Sequence, residues 1–242
     1  DLDVYKPDSV INVYQMFNNC NNFNGAVHIG NGVPNAWHLF YNCKFLNAPV
    51  FIGSSVTNTY EMFYNCENFA QDVTIPDSVT NAYHMFNNCI NFNGKVNIGS
   101  GVTNLYQFFY NCQLLNKKIN INGDVINAYQ MFYECTNFNQ IVELPVTVLN
   151  AYEMFYNCHN FDSSFYIPPL VSNLANFFYG CNNFNKDIYI PQVATDLSNM
   201  FYNCFNFNSS LTIPSGAENL YQMFMNANNF NQLVTIPQSA KN

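Results

Sequence analysis

Cysteine returns at a fixed interval along almost the whole chain: Cys20, Cys43, Cys66, Cys89, Cys112, Cys135, Cys158, Cys181 and Cys204, with Ala227 at the next step. Each interval is 23 residues, and ten copies follow one another without insertion or deletion. A period of this size marks units that cannot bury their own apolar face and must stack to make a shared core. The chain therefore serves as its own alignment, with columns numbered from the Cys position.

Column −3 is Phe in all ten copies, from Phe17 to Phe224, and column −4 is Met in seven, otherwise Leu39, Phe108 or Phe177. Column +3 is Phe or Leu, +7 is aliphatic or Phe165, +9 is Ile or Leu144, and +10 is Gly or Pro with Asn122 as the exception. In one copy, Ala82, Met85, Phe86 and Cys89 fall at i, i+3, i+4 and i+7, the spacing of a helical face. Asn81 precedes them, in a column that is Asn in nine copies and Asp196 in the tenth, both good N-cap residues. A short helical turn is expected there. Val96-Asn97-Ile98 alternates as a very short strand should, and Gly99 ends it. The expected fold is an α/β solenoid: ten 23-residue repeats forming one domain over 1–242, each a very short parallel strand plus a short helical turn, with rungs about 4.8 Å apart on the strand side. Each Phe of column −3 should contribute roughly 1.5–3 kcal/mol by burial.

The copy Val73-Thr74-Ile75-Pro76-Asp77-Ser78-Val79-Thr80-Asn81, followed by Met85-Phe86-Asn87-Asn88-Cys89 and Asn91-Phe92-Asn93, resembles the BspA-like leucine-rich repeats of bacterial surface proteins, including the 23-residue treponemal type. Similar repeats occur in bacteriophage tail proteins. The resemblance implies a leucine-rich-repeat-like right-handed superhelix and an extracellular, cell-surface or virion-surface location. Phe and Tyr here replace much of the family's Leu, and Asn is far denser.

Composition excludes several functions. Seven Lys and no Arg, in a chain of net charge −8, cannot supply the basic stripe that nucleic acid or an anionic membrane surface requires. Apolar residues never run for 18 in a row, so no membrane-spanning helix is expected. Charged residues are 9% of the chain, against about 25% in an average domain. Asn occupies 45 positions instead, as stacked rows favour amides that hydrogen-bond over like charges that repel.

The nine Cys form no Cys-x-x-Cys pair and have no His at ligand spacing, so they read as a row of small buried thiols, with adjacent-rung disulfides as the alternative. No clustered carboxylates suggest calcium, and no cofactor or metal is expected. The paired tyrosines Tyr60 and Tyr64, Tyr106 and Tyr110, Tyr129 and Tyr133, and Tyr152 and Tyr156 read either as a flank seal or as a sugar platform. His38 and His84 share an outer column with no constant Ser, Cys or carboxylate partner, and His28 and His159 stand alone. An unbroken repeat of this kind predicts no enzyme. Thr at only three of ten outward positions offers no regular ice-binding lattice.

Two columns that should project from the strand face differ from copy to copy and are not constrained by the core. Column +8 carries His28, Phe51, Thr74, Asn97, Asn120, Glu143, Tyr166 and Tyr189, and column +6 carries Lys95, Lys118 and Asp187. These eleven residues are the candidate ligand-binding surface; unconstrained solvent positions are the alternative reading. The functional expectation is a non-enzymatic recognition or adhesion module for a cell-surface glycan or protein receptor, as in a surface adhesin or phage tail fibre; a structural spacer or filament subunit is the rival. Val4 to Val10 match the strand and turn of a preceding copy, with Lys6 in the inward Ile position. Neither end carries a polar cap, so further repeats in the same chain or end-to-end self-association are expected.

Overall fold

A computed structural model describes residues 3–5 and 9–242. Lys6, in the expected preceding copy, lies outside the described residues. The 23-residue period is also the structural period, since side-chain and backbone bonds repeatedly join residues 23 apart. Each repeat forms one rung.

Among the described residues there are six short strands: β1 (Val4–Tyr5), β2 (Val27–Ile29), β3 (Val50–Ile52), β4 (Val73–Ile75), β5 (Val96–Ile98) and β6 (Ile119–Ile121). They pair in parallel and in register with the repeat, Val27 against Val50 and Val96 against Ile119, in two sheets, β1-β2-β3 and β4-β5-β6. The strand expected in every copy is thus only partly realised. Residues 142–144, 165–167, 188–190, 211–213 and 234–236 occupy the same columns but form no ladder.

The +10 residue of the later rung explains where pairing stops. It is Gly30, Gly53, Gly99 or Asn122 at the four paired junctions, and Pro76, Pro145, Pro168, Pro191, Pro214 or Pro237 at the unpaired ones. The Asn122 N–H donates to the carbonyl of Ile98 at 3.1 Å, a bond proline cannot make. At Gly53 and Gly99 the rungs approach so closely that an added Cβ would lie 2.5 Å from the Ile29 carbonyl oxygen and 2.4 Å from that of Pro76. A proline at this position cannot supply the donor that Asn122 supplies.

The expected helical turn is not a helix. In the rung around Cys112, the N–H groups of Leu105, Gln107, Phe109 and Asn111 donate to the next rung, to the carbonyls of Asn127, Tyr129, Met131 and Tyr133 at 2.7–3.0 Å. The alternate N–H groups of Phe108, Tyr110, Cys112 and Leu115 close turns onto the residue three before, at 3.0–3.3 Å. An α-helix would use every N–H internally and leave none for stacking. Two columns make the alternation possible by adopting positive φ. Column −5 does so from Gln15 (54°) to Gln222 (52°), and column −1 from Asn19 (60°) to Asn226 (60°), with Gly180 at 70°. Asn tolerates this left-handed region better than most residues, which accounts for eight Asn in column −1. The apolar spacing that mimics a helix arises because these turns send the same four positions inward.

Columns −4, −3, Cys and +3 fill the core with the strand residues, and Phe40, Phe63, Phe86, Phe109, Phe132 and Phe155 are fully buried. Equivalent parallel rings report the step between rungs. It is 4.4–4.8 Å along the outer Tyr row (Tyr41–Tyr64, Tyr110–Tyr133, Tyr156–Tyr179). In the Phe column −3 it is 5.3–5.8 Å, and at Phe138–Phe161 in column +3 it reaches 6.1 Å.

Amides then tie the rungs together. In column −8, Asn Oδ1 accepts the N–H two residues on, as at Asn104 to Tyr106 (3.0 Å). Column +4 caps the following rung, for example Asn116 Oδ1 accepting from the Asn139 N–H at 3.0 Å. In column −1, Asn111 Nδ2 donates to Asn88 Oδ1 at 2.9 Å.

Candidate binding face

The outward strand face holds all eleven candidate residues, but it is not uniform. On the paired rungs the rings of Tyr5, His28 and Phe51 stack almost parallel, with centroids 4.4 and 4.3 Å apart. His28, expected to stand alone, is the middle of an aromatic stack. Thr74 follows, and then Asn97 and Asn120 join through a 2.7 Å amide bond. The backbone N–H of Lys95 donates to Asp72 Oδ1 at 2.8 Å, leaving the Lys95 ammonium outward and exposed. Such a row presents ring edges and satisfied amides.

Beyond Pro145 the face changes character. Glu143, Tyr166, Asp187 and Tyr189 are exposed, and among the described residues neither tyrosine ring has a ring contact. Gaps between the unpaired rungs open as shallow depressions, one of about 560 Å³ lined by Phe165, Tyr189, Leu211 and their neighbours. A second, about 400 Å³, lies beside Ile141, Glu143 and Tyr166. Smaller ones lie beside Lys118 and Asn120, and beside Phe51, Thr74 and Lys95.

Residues outside the eleven also belong to this surface. Tyr5 extends the stack, and Gln192, Ser210 and Thr212 line the depression beside Tyr189. Exposed Ile126, Val146, Leu149, Leu170 and Val193 form an apolar edge after the strand segments. The signal for that edge was available: the same columns hold Ser, Thr, Gly or Asp in most other copies.

The turn flank carries a polar row with a correction. His38 and His84 do have a carboxylate partner, because Glu61 occupies the same column on the rung between them. Its Oε2 lies 2.7 Å from His38 Nε2 and its Oε1 3.3 Å from His84 Nδ1. Burial nonetheless holds His84 below its ordinary value of 6.5, against the opposing pull of Glu61. Further along, Gln130 Nε2 donates to Glu153 Oε2 at 2.5 Å and Asn176 Nδ2 to Glu153 Oε1 at 3.0 Å. The Tyr rings of this flank hide their faces against one another, which suits a seal better than a sugar platform.

All nine cysteines are free thiols, and all but Cys20 are buried. Among the described residues no cluster of three His, Cys, Asp or Glu is placed to hold a metal ion, and no helix is long and apolar enough to cross a membrane.

Fold and face together define a leucine-rich-repeat solenoid of the BspA-like kind, built on aromatic and amide ladders. The chain belongs to the family described as Mycoplasma protein of unknown function, DUF285, whose matches tile it over residues 1–50, 31–120, 57–167, 98–188 and 146–236. No curated protein matches it. Among solved structures it is similar to a leucine-rich repeat protein from Eubacterium ventriosum, with 17% identity, a TM-score of 0.54 and coverage of 98% of this chain and 79% of that one. A leucine-rich cell surface protein from Faecalibacterium prausnitzii shares 18% identity with a TM-score of 0.43, covering 97% and 88%. A leucine-rich repeat protein from Bacteroides ovatus shares 15% identity with a TM-score of 0.42, covering 99% and 82%.

Proposed function

We propose that this chain is a non-enzymatic recognition module exposed at a cell or virion surface, docking a glycan or protein receptor on its outward strand face. The observation that carries this reading is the contrast between faces. The core columns repeat almost unchanged, whereas the outward strand positions vary from rung to rung and expose Phe51, Tyr166 and Tyr189 at 53–56%. A scaffold that conserves its interior while varying one face is the arrangement repeat proteins use for recognition, and large exposed aromatics are the residues that anchor interfaces. Adhesion of the labelled protein to intact host cells tests it. The triple variant F51S/Y166S/Y189S should lose cell binding while its melting temperature holds within a few degrees. Binding that survives the triple change, or that never occurs, would leave a spacer or filament role.

A further inference from the structure

We infer that the depression between the rungs of Tyr189 and Thr212 is a subsite for a neutral sugar, with the Tyr189 ring as its platform. This rests on the recognition reading above and gives that face a ligand class. The argument begins with Pro191 and Pro214, which deny their junctions the bond that Asn122 makes and leave segments 188–190 and 211–213 unpaired. The gap exposes part of an apolar floor containing Phe165 and Leu211. At about 560 Å³ it lies within the size range of small-ligand pockets.

Its rim has what a saccharide needs. Tyr189 is 56% exposed, and unlike Tyr5, His28 and Phe51 it has no ring stacked on it, so a face is free. A pyranose presents an apolar C–H face to such a ring and hydroxyls around its edge. Asp187, Gln192, Ser210 and Thr212 line the same depression, and among the described residues their side chains have no hydrogen-bond partner. That sets them apart from the laddered amides elsewhere. Asp187 and Tyr189 are two apart on one segment and so project to the same side, with Ser210 and Thr212 as their counterparts one rung on. A carboxylate, an amide and two hydroxyls provide donors and acceptors together, matching hydroxyls that act as both. Charge selects against acidic sugars: Asp187 is the charged group of the lining, and the nearby Lys186 ammonium is held by Asp162 at 2.9 Å. An extended peptide would seek the unpaired backbone groups; the free ring face and hydroxyl-rich rim favour the sugar.

The experiment is an array of neutral and acidic oligosaccharides, with the strongest neutral hit carried into calorimetry, alongside the cell-adhesion assay. Binding of a neutral oligosaccharide, weakened about tenfold or more by Tyr189→Ala and several-fold by Asp187→Asn, supports the inference. Tyr221→Ser, on the turn flank, should leave it unchanged. Neutral-sugar binding without cell adhesion also supports it, while overturning the surface-recognition reading. Cell adhesion that depends on Tyr189 with no neutral sugar bound overturns the subsite and points to a protein ligand. Preferential binding of acidic sugars, or sugar binding indifferent to Tyr189, overturns it as well.

Discussion

The Sγ of Cys112 lies 3.1 Å from the carbonyl oxygen of Phe86 on the preceding rung, and donates to it. The same oxygen accepts the Cys89 N–H at 3.0 Å, so one carbonyl closes a turn and ties two rungs. The contact recurs from Cys43 onto Phe17 (2.8 Å) to Cys204 onto Phe178 (3.0 Å). The cysteine column therefore holds the stack through its protons, which a thiolate or disulfide would lose.

Thiol reactivity follows from this. Burial pushes Cys43 up to about 12 and Cys66 well above its ordinary value, leaving almost no nucleophilic thiolate near neutrality. A chromogenic disulfide reagent should label Cys20 alone in the native protein and all nine cysteines in urea. Rapid native labelling at Cys112 or Cys135 would contradict the packing. Cys112→Ala should cost about 1–2 kcal/mol in urea melts, from lost volume and the lost S–H bond.

Column −1 separates backbone demand from side-chain demand. Asn111 has φ 57°, a left-handed conformation that Asn tolerates better than Ala and Gly best of all, and its amide also donates to Asn88. Asn111→Ala should lose that tolerance and the amide bond and destabilise by about 1–2 kcal/mol. Asn111→Gly loses only the amide bond, as Gly180 does naturally, and should be the milder change. Denaturant titration of the pair decides it, and equal losses would show that φ is not the constraint.

His84 makes stability fall with acid. Its folded value lies below 6.5 because burial disfavours the imidazolium, so the unfolded chain takes up the proton first as pH falls past 6.5. The native state loses free energy through that window, and the loss levels off only below the lowered folded value. Gln stands in this column at four other rungs, so His84→Gln should fold and flatten the decline in melting temperature between pH 6.5 and 5. An unchanged slope would assign the effect elsewhere.

The proline rule can be tested in both directions. Pro145→Asn restores a donor facing the Ile121 carbonyl and should add protection from hydrogen exchange across 142–145. Asn122→Pro should strip it from β6. Mass-resolved exchange reads both, and unaltered protection in either variant would mean that the +10 residue does not control pairing.

The period and the buried columns were legible in the sequence because each depends on side-chain chemistry repeated ten times, whereas the Asn of column −8, expected to cap a helix, closes a turn onto the N–H two residues on. The turns were not. Ala82, Met85, Phe86 and Cys89 have helical spacing, and nothing in apolar periodicity separates a helix from turns that send the same positions inward. The clue was eight Asn before Cys, a backbone signal that looked like a side-chain ladder and proved to be both. The partner of His38 and His84 was hidden for a simpler reason: Glu61 is 23 residues from each, and only stacking makes such residues neighbours. Of the face, Tyr189 and Asp187 could be placed by alternation, whereas the opening beside them depends on the rung spacing.

The +10 column gives this protein a dial that its core does not feel. Exchange of whole 23-residue copies by unequal recombination would keep every Phe and Cys in place, yet move a closed or open junction to a new address. The lineage could thus redraw the relief of its outer face by shuffling proline alone, without re-solving the packing beneath.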